Sequence, residues 1–267
     1  MKFLLIPLAL VFVLARTPAQ PITDPQVTEV WDPEPPKVTP GVGQAPPSDA
    51  IVLFDGQDLA AWRKPQFVRE RGTVAEMRGM MDELDPDFAH PAADWTVADG
   101  QLIVRPGTGA IETQRAFGSV QLHLEFLCPV DAGKEGQAYS NSGIFLMGLY
   151  EIQILNSYAN RTYANGQAGA IYKQHLPLVN ASRRPGEWQY YDILFTAPTF
   201  QADGSLASPA RISAFHNGVL IQHDAVLEGP TAYIGRSSYF PHPAQLPLRL
   251  QDHGDLVRYR NIWIREL

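Results

Sequence analysis

The amino-acid sequence predicts an all-β protein, an antiparallel jelly-roll β-sandwich. Apolar and polar residues alternate along many short segments, which is the period of a half-buried strand. These segments recur at short intervals, are separated by turn residues, and have little helical periodicity between them. Apolar residues make up 45% of the 267 residues, which is enough for a sizeable core and excludes global disorder.

The chain begins with two segments that precede the predicted sandwich. Residues 1–19 combine a basic start at Lys2 with an apolar stretch and small residues, which predicts a secretory signal peptide, with an uncleaved anchor as the alternative. Residues 20–49 are rich in proline and predict an extended linker. Residues 50–267 are then the folded domain, and we expect a secreted or periplasmic protein. No apolar stretch after residue 20 is long enough for a membrane span.

In the first half of the domain, residues 51–54 form an apolar run before a turn and predict a short strand. Residues 66–84 mix methionines with charged residues and predict a helix or an irregular insertion. Residues 102–104 predict another strand. The clearest alternation covers residues 120–128, and it turns Cys128 inward as a small core residue.

In the second half, Asn217-Gly218 predicts a two-residue hairpin, because both turn positions need positive φ. His216 and His223 flank this hairpin and are predicted to lie at the surface. The remaining strands are predicted over residues 144–147, 149–155, 188–197, 210–216, 219–223, 248–251 and 257–265.

Composition and spacing exclude several classes of function. The net charge of −7 argues against nucleic acid or an anionic membrane as a partner. A single cysteine excludes an internal disulfide framework and a cysteine-built metal site. No His-x-x-x-His spacing and no glycine-rich phosphate loop is present.

Two predicted strands carry polar rows opposite their apolar faces. Glu151 and Gln153 alternate with core residues in one strand, and Arg249, Gln251 and His253 do so in the other. Such groups suit the binding of sugar hydroxyls and the transfer of protons. A merely solvated sheet face is the alternative interpretation.

Two further candidates lie beside these strands. Asn141 belongs to a polar turn just before the Glu151 strand, and an ordinary turn is its alternative role. Lys173 follows an apolar run and could act as a cation that stabilises an enolate, or as a solvated lysine that protects a sheet edge.

Six segments in a fixed order resemble the 3-keto-disaccharide hydrolase domain family, long labelled only as a domain of unknown function. The similarity spans about residues 50–267. It implies a sandwich like that of concanavalin-A-like lectins and glucanases, whose concave face holds carbohydrate. The segments are Leu53–Gly56, Trp95–Gly100, Asn141–Leu146, Tyr150–Leu155, Gly186–Ile193 and Leu250–Ile264.

The resemblance implies cleavage of glycosides that are oxidised to a ketone at sugar carbon 3. The ketone acidifies the hydrogen on carbon 2, so a base can remove it and expel the aglycone from carbon 1 before water adds. Such a site needs a base, a stabiliser of the enolate and a proton donor.

Carried over by position, Glu151 and His253 are the acid/base candidates, in either order. Lys173 or Arg249 could stabilise the enolate, and a bound divalent metal could do the same, although the sequence identifies no cofactor. The amides that would hold sugar hydroxyls are Asn141, Gln153 and Gln251.

The sequence departs from the family pattern at two places. Asn156 stands where an aspartate is expected, and the insertion over residues 64–93 is long, so it could form a lid or rim that changes substrate size.

Two other functions stay open. The first is a non-catalytic carbohydrate-binding module, in which Trp62, Trp95 or Trp188 would stack on sugar rings. The second is a conventional glycoside hydrolase, which needs two carboxylates at a fixed separation.

Overall fold

The computed structural model describes residues 23–67 and 72–267. The predicted signal peptide lies outside them. Residues 23–37 belong to a first unit, with a 3₁₀ turn over Pro25–Thr28, and residues 38–267 form the second unit. No helix among the described residues has the length and apolar character needed to cross a membrane.

The described residues contain fifteen strands and one α-helix. In chain order they are β1 (Ile51–Phe54), β2 (Trp62–Arg63), α1 (Val74–Asp82), β3 (Thr96–Ala98), β4 (Gln101–Ile103), β5 (Ile111–Phe117), β6 (Val120–Leu127), β7 (Ser142–Leu146), β8 (Tyr150–Ile154), β9 (Trp188–Thr196), β10 (Thr199–Phe200), β11 (Leu206–Ser208), β12 (Arg211–His216), β13 (Val219–Val226), β14 (Leu246–Leu250) and β15 (Arg258–Glu266).

Two antiparallel sheets form the sandwich. The larger has the order β13-β12-β9-β6-β15-β4-β3, with β1 also paired to β15, and the smaller has the order β2-β5-β14-β7-β8. The strands β10 and β11 form a separate ribbon. This arrangement confirms the predicted all-β, jelly-roll class.

The core lies between the two sheets and is built as the alternation predicts. Strand β8 contributes Tyr150, Ile152 and Ile154, all fully buried, and β14 contributes Leu248 and Leu250. Their neighbours in sequence therefore point to the opposite face of the smaller sheet. That face carries the candidate site.

Cys128 is fully buried in this core, as predicted, and burial raises the pKa of its thiol. The predicted hairpin is also confirmed, because Asn217 and Gly218 have φ of 53° and 80° between β12 and β13.

The surface position predicted for His216 is wrong. Its ring is buried and its Nε2 lies 2.9 Å from Oε1 of Gln189. Position 216 ends a strand whose even-numbered residues face the core, so the proximity of the turn does not expose it.

The proline-rich stretch before β1 makes ordered contacts from Val38 onward, where the second unit begins. The Gln44 carbonyl accepts hydrogen bonds from Asn261 Nδ2 at 2.8 Å and Trp263 Nε1 at 3.1 Å. Arg265 pairs with Asp49. These contacts hold the end of the stretch on β15.

Helix α1 lies inside the predicted helical region, with bounds Val74–Asp82. Thr73 and Glu76 form a capping box in which each side chain accepts from the other's backbone N–H, which fixes the first turn. None of the helix residues is buried.

Candidate active site

The open face of the smaller sheet carries a row of side chains that crosses all five strands. Its register pairs Arg63 with Glu112, Glu112 with Arg249, Arg249 with Phe145, and Phe145 with Glu151. A carboxylate, a ring and an ion-pair cluster therefore share one line across the sheet.

A second row lies beside the first. Gly143 on β7 is paired with Gln153 on β8, and the backbone N–H of Gln251 donates to the Gly143 carbonyl at 3.0 Å. The side chains of Gln153 and Gln251 are thus brought to the same part of the sheet, where both are buried.

These rows open into a cavity of about 370 Å³, which we name the Glu151 cavity. It brings together five of the predicted site residues, from β8, from the turn before β7 and from the loop after β14. They are Asn141, Glu151, Gln153, Gln251 and His253.

The Glu151 carboxylate lies on the floor of this cavity, against the backbone of Gly143. A Cβ atom at position 143 would stand 2.6 Å from Glu151 Oε1 and 2.9 Å from a ring carbon of Phe145. Only glycine therefore leaves room for the carboxylate in this position. The Glu151 backbone is fixed as well, because its N–H donates to Thr231 Oγ1 at 2.9 Å.

A network of amides fixes the polar wall. Gln153 Nε2 donates to Asn141 Oδ1 at 3.0 Å, and Asn141 Nδ2 donates to the Gln137 carbonyl at 2.8 Å. The Asn141 backbone N–H donates to buried Asp255 at 2.7 Å, and Asp255 also accepts from the Lys134 ammonium. Fixed amides of this kind suit the binding of hydroxyl groups.

Three tyrosines, Tyr163, Tyr172 and Tyr233, form another wall. The hydroxyl oxygens of Tyr163 and Tyr172 lie 2.6 Å apart. Burial raises the pKa of both phenols, and the nearby charge of Glu151 adds to this. Both stay protonated, and a hydroxyl pair uses one of its two protons between its own oxygens. The other proton is available to a ligand.

Two predicted enolate stabilisers do not line the Glu151 cavity. Lys173 is exposed, and its Nζ donates to the Tyr233 carbonyl at 2.6 Å while it lies 4.3 Å from the centre of the Tyr233 ring. The backbone of Lys173 has a φ of 61°, so its side chain does not follow the direction of the residues before and after it in the sequence. Arg249 lines a neighbouring cavity, where its Nη2 donates to Glu112 at 3.2 Å.

Asn156, the departure from the family pattern, does not line the cavity either. Its Oδ1 accepts from the Tyr158 backbone N–H at 3.3 Å, and its own N–H donates to the Tyr139 carbonyl. An amide at this position shapes the loop after β8.

Sequence reasoning missed Glu112 and the tyrosine wall. Glu112 belongs to β5, whose residues 111–113 are all buried, so no clean alternation marks it as a strand. The tyrosines stand in loops, where no periodicity tells which way a side chain points. The signal available in the sequence was the pair Tyr163 and Tyr172, which flank the 164–166 turn.

No group of three or more His, Cys, Asp or Glu side chains that could hold a metal comes together within residues 23–67 and 72–267. The described walls of the Glu151 cavity offer one carboxylate and one imidazole, with amides and phenols around them. This donor set suits a sugar better than a divalent cation.

Residues 49–265 match the model of the 3-keto-alpha-glucoside-1,2-lyase-like domain. The chain belongs to this family. The match covers both sheets and every strand that lines the Glu151 cavity. The lyase-like family thus agrees with the resemblance seen in the sequence.

Solved structures similar to this member of the lyase-like family come from Parabacteroides distasonis. One, described as a "putative glycosyl hydrolase", is 42% identical, with a TM-score of 0.78, and the match covers 91% of this chain and 97% of that one. A second, described in the same words, is 16% identical with a TM-score of 0.54 over 82% and 94% of the two chains, and it supports the fold alone. No curated protein matches this chain significantly. The family match and the 42% identical structure support a carbohydrate-active protein.

Proposed function

We propose that the protein cleaves 3-keto-glycosides by elimination followed by addition of water. Glu151 removes the proton from carbon 2, and the electrons of that bond form an enolate with the carbon 3 ketone. The enolate then forms the carbon 1–carbon 2 double bond as the bond from carbon 1 to the aglycone oxygen breaks. His253 protonates the leaving oxygen. Water adds its hydroxyl to carbon 1 and a proton returns to carbon 2, which completes a net hydrolysis.

The observation that carries this proposal is the donor set of the Glu151 cavity. Among its described lining residues, Glu151 is the one carboxylate, and it shares the cavity with His253 and four amides. Elimination beside a ketone needs one base and one acid, whereas a conventional glycosidase needs two carboxylates across the scissile bond.

The nearest carboxylate in the same row, Glu112, does not supply the second one. It lies three strands from Glu151, and strands ~4.8 Å apart give a backbone separation of about 14 Å. Inverting enzymes need carboxyl groups about 6.5–9.5 Å apart and retaining enzymes less. Glu112 is also held by Arg63 and Arg249.

The tyrosine pair supports the enolate step. A neutral phenol with a raised pKa donates a hydrogen bond and does not ionise at neutral pH, which suits it to a developing oxyanion. In this proposal Tyr163 and Tyr172 stabilise the enolate, the role that the resemblance implied for Lys173 or Arg249. Residues 1–19 support export, so we expect the reaction to occur outside the cytoplasm.

The test uses purified protein in deuterated water with 3-keto-trehalose and trehalose. We expect cleavage of the keto sugar alone, with deuterium at carbon 2 of the product. Glu151→Gln should abolish both cleavage and exchange. His253→Gln should keep exchange but slow cleavage, and a 4-nitrophenyl leaving group should restore the rate. Glu228→Gln and His223→Gln, both exposed, are the matched controls.

The opposite pattern for the two variants would exchange the roles of Glu151 and His253. Binding of both sugars without turnover, unchanged in Glu151→Gln, would instead identify a carbohydrate-binding module. Cleavage of unoxidised trehalose would identify a conventional glycosidase.

A further inference from the structure

A second cavity, of about 380 Å³, lies beside the first between helix α1 and the same sheet face. We name it the α1 cavity. Its volume is within the range of ~300–1,000 Å³ typical of small-molecule sites. The described parts of the predicted insertion, residues 64–67 and 72–93, contribute lining residues to this cavity and so cover part of the sheet.

The helix presents an apolar wall to this cavity. Met77, Met80 and Met81 recur at the i, i+3, i+4 spacing, which places them on one side of the helix, and all three line the cavity. None is fully buried: Met77 and Met81 also pack against the core, whereas Met80 does not. Methionine side chains adapt to apolar ligands of differing shape.

The floor of the α1 cavity adds a polar cluster to this apolar wall. The Glu112 carboxylate accepts from Arg63 Nε and Arg249 Nη2, each at 3.2 Å. The two guanidinium groups outnumber the carboxylate, so the cluster suits a hydroxyl or another electron-rich group on an otherwise apolar molecule.

The two cavities are adjacent through strand pairing. Phe145 lines the α1 cavity and is paired with Glu151, which lines the other. Thr231 lines the α1 cavity and accepts the Glu151 backbone N–H. Neighbouring strands are ~4.8 Å apart, so a group attached to carbon 1 of a sugar held at Glu151 reaches the α1 cavity.

We infer that the α1 cavity is the aglycone subsite and that it takes an aromatic, hydroxyl-bearing aglycone. This inference rests on the proposed function and narrows its substrate class to 3-keto-glycosides of phenol-like aglycones. The methionine wall buries the ring, and the Arg63–Glu112–Arg249 cluster binds the polar substituent.

Binding of the aglycone alone tests the subsite without turnover. We use 4,4′-dihydroxybiphenyl, which keeps one free hydroxyl when the other forms the glycosidic bond, as the probe in calorimetry with the full chain. Met80→Gln keeps side-chain length and helix propensity, and Met80 is not packed against the core, so the variant should fold. We expect one binding site in the wild type and about tenfold weaker binding in Met80→Gln. Ala75→Gln, on an exposed position of the same helix, should bind as the wild type does.

No binding by the wild type, or equal binding by Met80→Gln, would overturn the subsite. Kinetics separate this result from failure of the proposed function. Met80→Gln should lower kcat/KM for the 3-keto-glucoside of 4,4′-dihydroxybiphenyl about tenfold more than kcat/KM for methyl 3-keto-glucoside, whose aglycone is too small to reach the methionines, whereas Glu151→Gln should abolish both. An equal loss on both substrates in Met80→Gln would also contradict the inference.

Discussion

The Glu151 carboxylate rests against Gly143 on the neighbouring strand, in space that any side chain at position 143 would occupy. The two residues are not directly paired, because Glu151 is opposite Phe145 and Gly143 is opposite Gln153. The carboxylate therefore leans diagonally across the sheet, toward the amides. This lean places the proposed base among the groups that would hold the sugar.

Gly143→Ala should displace this carboxylate. The new methyl group would lie 2.6 Å from Oε1, so Glu151 must move, and a shift of about 1 Å in a reacting group costs about 100-fold in rate. We expect kcat to fall by about this factor while circular dichroism shows an intact fold. Gly79→Ala, where the new atom meets nothing within 4 Å, is the control. Full activity in Gly143→Ala would show that the position of the carboxylate is unimportant.

Asp255 is expected to act as a positioning residue for Asn141. Asp255→Asn removes the ion pair with Lys134 and weakens the acceptor for the Asn141 N–H. We expect KM to rise about five- to tenfold with a smaller change in kcat, measured by steady-state kinetics on the keto sugar. Asp131→Asn removes the other partner of Lys134 without touching Asn141. A lower melting temperature with unchanged KM would indicate a purely structural role.

Tyr172→Phe should weaken stabilisation of the enolate. The change leaves the ring and removes one hydroxyl of the pair, so we expect kcat to fall about 10- to 100-fold with little change in KM. Because burial raises the pKa of both phenols, any loss of wild-type kcat through their ionisation should occur at a higher pH than the ionisation of a free tyrosine. Tyr158→Phe, at an exposed tyrosine, is the control. An unchanged kcat in Tyr172→Phe would exclude the pair from the chemistry.

Strand alternation was sufficient to predict that the polar side chains of two strands share one face of a sheet. In β8 and β14 the period of two separates core residues from polar ones, and it directs Glu151, Gln153 and Gln251 to one side of a sheet. The order of strands within the sheet comes from long-range pairing, so local patterns do not contain it. The adjacency of the two cavities follows from that order.

Loops and positive-φ residues mark the limit of prediction from sequence. Lys173 follows an apolar run, but its φ of 61° directs its ammonium to the Tyr233 carbonyl. Glu112 lies in a strand segment that is buried on both faces. Its carboxylate is buried because it pairs with two arginines, so the usual alternation of buried apolar and exposed polar residues is absent there. In both cases tertiary contacts, which a local pattern does not encode, decide the position.

His216 should make the stability of the domain depend on pH. Burial, with the positive charge of Arg183, lowers the pKa of His216 to about 3, so the folded state keeps the ring neutral where the unfolded chain, at about 6.5, takes up a proton. The contribution of His216 to the free energy of unfolding is complete above pH 6.5 and decreases by ~1.4 kcal/mol per pH unit as the pH falls toward 3. Because of His216, the free energy of unfolding measured in urea should be about 2 kcal/mol higher at pH 7.5 than at pH 5. In His216→Gln, which can still bond to Gln189, the difference between the two pH values should shrink by that amount, whereas His223→Gln at the exposed end of the hairpin should leave it unchanged. An equal pH dependence in His216→Gln and the wild type would contradict the buried neutral ring.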